Sequence, residues 1–459
     1  MPSFDIRVPA VLMRLDRNPF HHGTLGAVRS LGRAGIEVHA VVEAAGSPVG
    51  RSRYLRRVHL RPDGSPDLAE IHRLLRSISD QLATPAVLIA MDDLSAIAVG
   101  RLAAELSGRY LLPEQPSGLA ERVADKAELV DICAALSVPH PRTVIPADAE
   151  GAAAAAWSLG LPVVAKWSRP WLLPAGAGLR STQVVRSKRE ARELFARRPE
   201  AGSELLLQEY LPQGRDLDWF FHGYSGSDGT CLVGAAGRKE RSWPVGAGLT
   251  AVGRWLPNPE VERTARQVVA ALGYRGILDL DFRLDPGTGS YHLLDFNPRP
   301  GAQFRLFTDR AGTDVVRALH LDLTGRTVPA SGAAHGRTFL VENYALLSFL
   351  SSLKSSGLPR GARGAGGVRG ERDGALGGAR TGVRGGARGG VRAGVRGGAR
   401  GRGGREAAWF ALDDPMPAYG MATAWIRHAT RRAGRGAGRT APVARAGPAP
   451  DTGRTPSVQ

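Results

Sequence analysis

Nothing limits the fold of this 459-residue chain as tightly as two alternating segments, Leu278-Asp279-Leu280-Asp281-Phe282-Arg283-Leu284 and Tyr291-His292-Leu293-Leu294-Asp295-Phe296-Asn297. They are joined by Asp285-Pro286-Gly287-Thr288-Gly289-Ser290, and period-two alternation around such a turn predicts a β-hairpin. In the first strand Leu278, Leu280, Phe282 and Leu284 share the apolar face, with Asp279 and Asp281 on the other. In the second, Leu294 and Phe296 point one way, and Asp295 and Asn297 the other. Pairing Asp285 with Tyr291 sets Asp281 opposite Asp295. Directly opposed side chains have Cβ atoms about 5 Å apart, where like charges destabilise the ladder. Two carboxylates and an amide oxygen so aligned need a cation, and an oxygen-only set suits Mg2+ or Mn2+. A solvated acidic face is the competing reading. The ending Asn297-Pro298-Arg299-Pro300-Gly301 is unusual for a plain strand and weighs against it.

Residues 8–112 alternate strands with helical stripes. Val11 and Leu12 lie in a first strand, and Leu25, Val28 and Leu31 mark a helix. Ile36, Val38, Ala40 and Val42 alternate as a second strand. Val87, Leu88 and Ile89 form a buried one, followed by Leu94, Ile97, Ala98, Leu102 and Leu106 at helical spacing. Such repetition predicts a parallel sheet covered by helices. No Gly-x-Gly-x-x-Gly follows the first strand, so a dinucleotide site is not supported. A further helix carries Leu119, Val123, Ala127, Val130 and Ala134. Short strands with few helices then run from Val163 to about residue 320, and Phe339–Leu350 is one more apolar segment.

The formal charge of +18 is concentrated in two places. Residues 355–405 hold twelve arginines against Glu371 and Asp373, and residues 427–459 hold seven against Asp451. Together they carry +16, which leaves the body nearly neutral. Between glycines, Arg380 to Arg400 recur every fourth residue with almost nothing apolar to bury, so this block is expected to be disordered. The globular pattern resumes at Ala407-Ala408-Trp409-Phe410, which makes the block an insertion in a surface loop. Cys133 and Cys231 are too few and too distant for a disulfide framework. The first apolar run stops at Arg14, too short for a signal or membrane span. A cytoplasmic protein without a membrane partner is the expectation.

Asp281 followed by Asp295-Phe296-Asn297-Pro298-Arg299-Pro300 closely resembles the metal-binding hairpin of ATP-grasp enzymes. That resemblance implies that Asp281, Asp295 and Asn297 hold the Mg2+ (alternatively Mn2+) that bridges the β- and γ-phosphates of ATP. Asp295 stands where Glu is commoner. Asp279 stands where the D-alanine–D-alanine ligases have Arg, which leaves Arg299 as first candidate for steadying the transferred phosphoryl group. The other family features follow in order. Lys126, after Asp125, and Lys166, ending Pro162-Val163-Val164-Ala165, match the two nucleotide-contacting lysines. Gly176 and Gly178, in Pro174–Gly178, could fold amides over the phosphates. Gln208, Glu209, Tyr210 and Leu211 resemble the hinge whose backbone pairs with adenine. Asp216 matches the ribose carboxylate, with Asp218 competing. The resemblance is good over residues 118–305 and weaker before them.

The implied architecture is α/β and α+β: an ATP-grasp fold behind an N-terminal parallel-sheet domain. Its parts would be residues 1–115, an ATP-grasp domain 116–350 with a lid at about 140–215, the insertion 355–405, a folded segment 406–427 and a basic tail 428–459. The implied activity is an ATP-dependent carboxylate–amine ligase acting on small molecules through an acyl phosphate. An ATP-grasp carboxylase or a D-aspartate ligase-like cell-wall enzyme is the alternative. A non-catalytic nucleotide- or RNA-binding role for the Arg/Gly segments ranks below both, because they lack interleaved aromatics for stacking. They keep the capacity for nonspecific nucleic-acid contact, and a homodimer stays open. Arg238 or Arg241 could clamp a substrate carboxylate, though a solvated basic turn fits equally. His21-His22-Gly23-Thr24 lies at a strand-to-helix turn on the usual ligand edge of such a sheet. Adjacent histidines seldom chelate together, so helix capping by Thr24 is preferred there.

Overall fold

Apolar runs without polar interruption become strands buried on both faces. A computed structural model describes residues 2–174, 176–244, 249–330, 332–355 and 404–437. In it β1 (Ala10–Met13), β2 (Val38–Val42), β3 (Arg57–Leu60), β4 (Ala86–Ala90) and β5 (Tyr110–Leu111) form a parallel sheet in the order β3-β2-β1-β4-β5. Helix α1 (His22–Arg33) packs Leu25, Val28 and Leu31 on one face. Helices α2 (Leu68–Ser79) and α3 (Asp93–Arg101) cover the other through Ile71, Leu75 and Ala98.

The single helix expected from Leu119 to Ala134 is two. Helix α4 (Leu119–Ala124) ends at Asp125, whose side chain accepts from Ala127 N and caps α5 (Lys126–Ala135). Ser168 and Arg169 also bind the Asp125 carboxylate, which fixes it in the extended conformation of a cap. The break re-phases the buried stripe to Leu129, Ile132 and Cys133, and Ala127, Val130 and Ala134 lie outside it.

A second, antiparallel sheet follows, with β6 (Thr143–Val144), β7 (Val163–Trp167), β8 (Thr182–Val185) and β9 (Leu205–Glu209) in the order β6-β9-β7-β8. Helices α6 (Ala149–Leu159) and α7 (Lys188–Phe195) back it through Ala152, Ala156 and Leu194.

The third sheet comprises β10 (Asp218–Ser225), β11 (Cys231–Trp243), β12 (Leu249–Trp255), β13 (Gly276–Asp285), β14 (Ser290–Asn297), β15 (Thr338–Leu340) and β16 (Arg405–Ala407). Their order is β14-β13-β10-β11-β12-β15-β16, antiparallel except for β15–β16. One face packs Phe221, Leu278, Leu280 and Phe282 on α8 (Pro259–Leu272). The opposite face meets the α1 side of the first sheet, where Phe220 and Trp255 share a core with Leu25, Phe304, Phe307 and Trp409. Helix α9 (Val315–Leu323) adds Val316 and Leu319 there. Asp281 lies opposite Phe220 and Asp279 opposite His222, so the carboxylates belong to this inner face.

The apolar segment 339–350 divides into β15 and α10 (Glu342–Ser355). Of the Arg/Gly insertion, residues 356–403 lie outside the described ones. The last helix, α11 (Met416–Ala437), runs past the boundary at 427 read from the sequence, as its Ala and Arg content favours. The remainder of the basic tail, 438–459, is outside the described residues. Among those described, no helix is long and apolar enough to cross a membrane.

Candidate active site

Asp281 does face Asp295, but by a different route from the one the sequence suggests. Asp285 pairs with Ser290, not Tyr291, and that register runs to Phe282 opposite Leu293. A bulge then inserts Leu294, which restores Asp281 to Asp295 and sets Asp279 against Asn297. Leu293, 2% exposed, therefore enters the core beside Phe296, where Leu294 was expected. The bulged residue has another use. Its carbonyl accepts from Lys166 Nζ at 2.9 Å.

Both lysines converge on one carboxylate. Lys126 Nζ lies 2.8 Å from Asp295 Oδ1 and Lys166 Nζ 3.4 Å from it. Burial raises the Asp295 carboxyl, but the two ammonium groups outweigh it and hold the group at about 2. Asp281 has no such help. Burial pushes it up to about 6, with Lys239 opposing and Asp279 and Asp295 adding to the rise. Its carboxylate makes no hydrogen bond or ion pair among the described residues. Asn297 donates through Nδ2 to Asp279, which leaves its oxygen to accept. No three His, Cys, Asp or Glu side chains form a ready-made metal cage among the described residues. Two carboxylates and an amide oxygen nevertheless fit Mg2+, which commonly takes one or two carboxylates and fills its octahedron from phosphates and water.

Arg299 is held rather than free. Its Nη1 donates to Asp279 Oδ2 at 2.9 Å, and its Nε lies 3.3 Å from Asp93 Oδ1 at the start of α3. The hairpin and the first sheet are thereby joined across the cleft. His222 lies beneath, its Nε2 3.2 Å from Asp279 Oδ1, and burial lowers it to about 3. Gly301 closes over this pair. A Cβ there would stand 2.6 Å from His222 Nε2 and 2.7 Å from Asp279 Cγ. Gly301→Ala is therefore expected to destabilise the protein by about 1–3 kcal/mol, as overpacking does. A urea midpoint at the wild-type value would contradict the close approach.

The remaining candidates divide. Gln208 Nε2 donates to Thr143 Oγ1, and Arg142 holds the Glu209 carboxylate, so both side chains are structural. Beyond Glu209 the ladder ends, and the backbone of Tyr210 and Leu211 makes no hydrogen bond among the described residues. Gly176 and Gly178 have φ of 88° and 71° in open space on the loop before β8, and Ala175, just before them, lies outside the described residues. Asp216 adopts φ 69° and pairs with Arg238 at 3.0 Å, while Asp218 is bound by Arg283. Arg238 also binds Glu240, so its guanidinium is held by two carboxylates. Arg241 is exposed on β11. Of Val245-Gly246-Ala247-Gly248, all four lie outside the described residues. The cation missed in the sequence is Lys239. It acts on both Asp279 and Asp281, and no anion pairs with it among the described residues. Its only signal was alternation with Gly237 on the inner face.

An N-terminal parallel sheet, a small antiparallel sheet carrying one lysine, and a large sheet ending in the carboxylate hairpin define a class: the chain has the ATP-grasp fold. Among solved structures, it is similar to the L-amino acid ligase of Bacillus licheniformis, at 13% identity and TM-score 0.53, covering 72% of this chain and 78% of that one. It is also similar to the biotin carboxylase domain dimer of Hydrogenobacter thermophilus 2-oxoglutarate carboxylase, in complex with MgADP, ADP and bicarbonate. There the identity is 18% and the TM-score 0.52, over 70% of this chain and 71% of the other. A curated relative, the D-aspartate ligase of Enterococcus faecium, is 22% identical over 271 residues, 56% of this chain. The match spans 64% of that enzyme's length. No family model matches.

Proposed function

We propose that the chain is an ATP-dependent carboxylate–amine ligase that forms an amide through an acyl phosphate. The carrying observation is the convergence of Lys126 and Lys166 on Asp295, opposite an Asp281 that has no partner among the described residues. Asp281, Asp295 and Asn297 would hold Mg2+, or Mn2+, which supplies neutralisation of phosphate charge when bound. Lys126 and Lys166 bind phosphate oxygens, and the amides of Gly176 and Gly178 cover them. The Gln208–Leu211 backbone receives adenine and Asp216 the ribose. Lys239 joins Arg299 as the cation near the transferred group. The four-stranded sheet, within residues 140–215, serves as the lid of a 116–350 catalytic domain, and residues 1–115 present the second substrate edge.

Phosphoryl transfer asks mainly for positioning and charge neutralisation. A substrate carboxylate oxygen attacks the γ-phosphorus, and the bond to the β–γ bridging oxygen breaks, releasing ADP. The amine nitrogen of the second substrate then attacks the acyl carbon. The carbon–oxygen bond breaks, inorganic phosphate departs, and the ammonium proton passes to solvent. The D-aspartate ligase relative supports an amino acid as one substrate. A carboxylase is the second reading, and the bicarbonate bound in the Hydrogenobacter domain favours it.

An ADP-release screen over amino acids of both chiralities, singly and in pairs, with and without bicarbonate, tests these readings. The expected result is release that needs two substrates and yields an amide by mass spectrometry. Release driven by bicarbonate alone would move the assignment to a carboxylase, and MgATP binding without any release would overturn the ligase.

A further inference from the structure

At the carboxyl edge of the first sheet, between α1, α3 and the loop after β14, lies a cleft of about 420 Å3. It opens beside Arg299, so whatever it holds lies next to the transfer site. His22 lines it and is 5% exposed. Its Nδ1 is buried without a hydrogen-bond partner among the described residues. The ring is wedged among Phe339, Trp409 and Tyr344 at 6.0, 6.1 and 6.3 Å. Leaving a buried polar group unpaired is costly, so a ring nitrogen held this way implies a missing partner.

The cleft has two poles. At one, Thr24 N donates to His21 Nδ1 at 3.2 Å, which makes Nδ1 the acceptor and leaves the proton on Nε2. The Gly23 amide beside it, in the first turn of α1, has no intrahelical partner, and the helix N-terminus favours negative charge. Arg299 adds a guanidinium. At the other pole Asp16 Oδ1 accepts from Arg14 and from Asn18 N, and its second oxygen has no partner among the described residues. Asp93 gives one oxygen to Arg299 and keeps the other.

We infer that this cleft is an α-amino-acid subsite that reads the zwitterion. The carboxylate lies against the α1 N-terminus, His21 and Arg299, the ammonium lies against Asp16 and Asp93, and His22 hydrogen-bonds the bound molecule. The inference rests on the ligase reading for its chemistry, but binding at the cleft is measurable without turnover.

The test compares calorimetric binding of amino acids with that of their deamino acids and amines, in the presence of MgADP. It is run on wild type, Asp16→Asn and His22→Phe, the last preserving the ring packing. Wild type is expected to bind amino acids at least roughly 10-fold more tightly than either analogue, as a hydrogen bond to a charged group supports. Asp16→Asn should erase the preference over the deamino acid. His22→Phe should weaken binding roughly 10-fold, with MgADP affinity within twofold of wild type. If His22→Phe melts early, Asp16→Asn carries the test alone. Equal binding of amino acid and analogues by wild type, or unchanged binding in both variants, overturns the subsite. Unchanged ADP release in the variants would sink the subsite alone, whereas intact zwitterion binding without ADP release would sink the ligase and leave the subsite.

Discussion

Asp295→Asn is expected to lower ATP turnover by roughly 10²-fold or more, the scale of losing an electrostatic group aimed at the reacting centre. The substitution is nearly isosteric but removes the charge on which Lys126 and Lys166 both converge. It also removes one of the two carboxylates proposed to hold the cation, and Asp279 cannot replace it because it is bound to Arg299. Loss should therefore appear twice, in turnover and in magnesium-dependent nucleotide binding by calorimetry. Burial alone already lowers the Lys166 ammonium, and without Asp295 nothing comparable opposes that drop. The control is Asp285→Asn on the exposed turn of the same hairpin, where the carboxylate only accepts from Gly287 and Thr288. Its turnover should stay within twofold of wild type. Undiminished turnover in Asp295→Asn would end the site assignment.

The sequence made the hairpin legible because alternation with period two is local, and so is the Asn297-Pro298-Arg299 ending. It predicted the face-to-face carboxylates but not the bulge at Leu294. A one-residue insertion leaves no compositional mark, and the wrong turn register happened to give the right pairing of Asp281 with Asp295. The first sheet was readable for the same local reason, down to Val11 and Leu12 in β1. Lys239 was not, because its partners lie on β13, about forty residues on, and the β11 bulges between Lys239 and Ser242 disturb the alternation that would assign its face. The cap at α1 was read in the wrong direction. Thr24 was expected to cap, whereas the His21 ring accepts from Thr24 N, a choice that depends on a rotamer rather than a pattern. The fate of Arg238 turned on Asp216 adopting a left-handed backbone conformation at the end of a loop, which no alternation predicts.

Least visible from sequence was the contact that closes the molecule, between residues 385 positions apart. Arg29, on α1, is fully buried and its Nε donates to Asp414 Oδ2 at 2.9 Å. Its Nη2 donates to the carbonyls of Trp409 and Asp414, each at 2.7 Å. Ser52 Oγ and Arg53 N complete the Asp414 carboxylate. Arg29→Met would strand that carboxylate and two carbonyls, so a loss of about 3–5 kcal/mol is expected, the range for breaking a buried ion pair from one side. Arg29→Met/Asp414→Leu should recover part of it, because no buried charge is then left unpaired. The urea midpoint measures both, and it should move down sharply in the single variant and less in the double. The consequence for the site follows from the same atoms. Trp409, whose carbonyl binds Arg29, also packs its ring on His22, so the segment that resumes after the Arg/Gly insertion backs a residue that lines the cleft. Arg29→Met should consequently weaken amino-acid binding before it unfolds the protein, while the affinity for MgADP, whose proposed site is at the other end of the large sheet, stays within twofold. A single variant with the wild-type midpoint would show that the segment merely rests on α1.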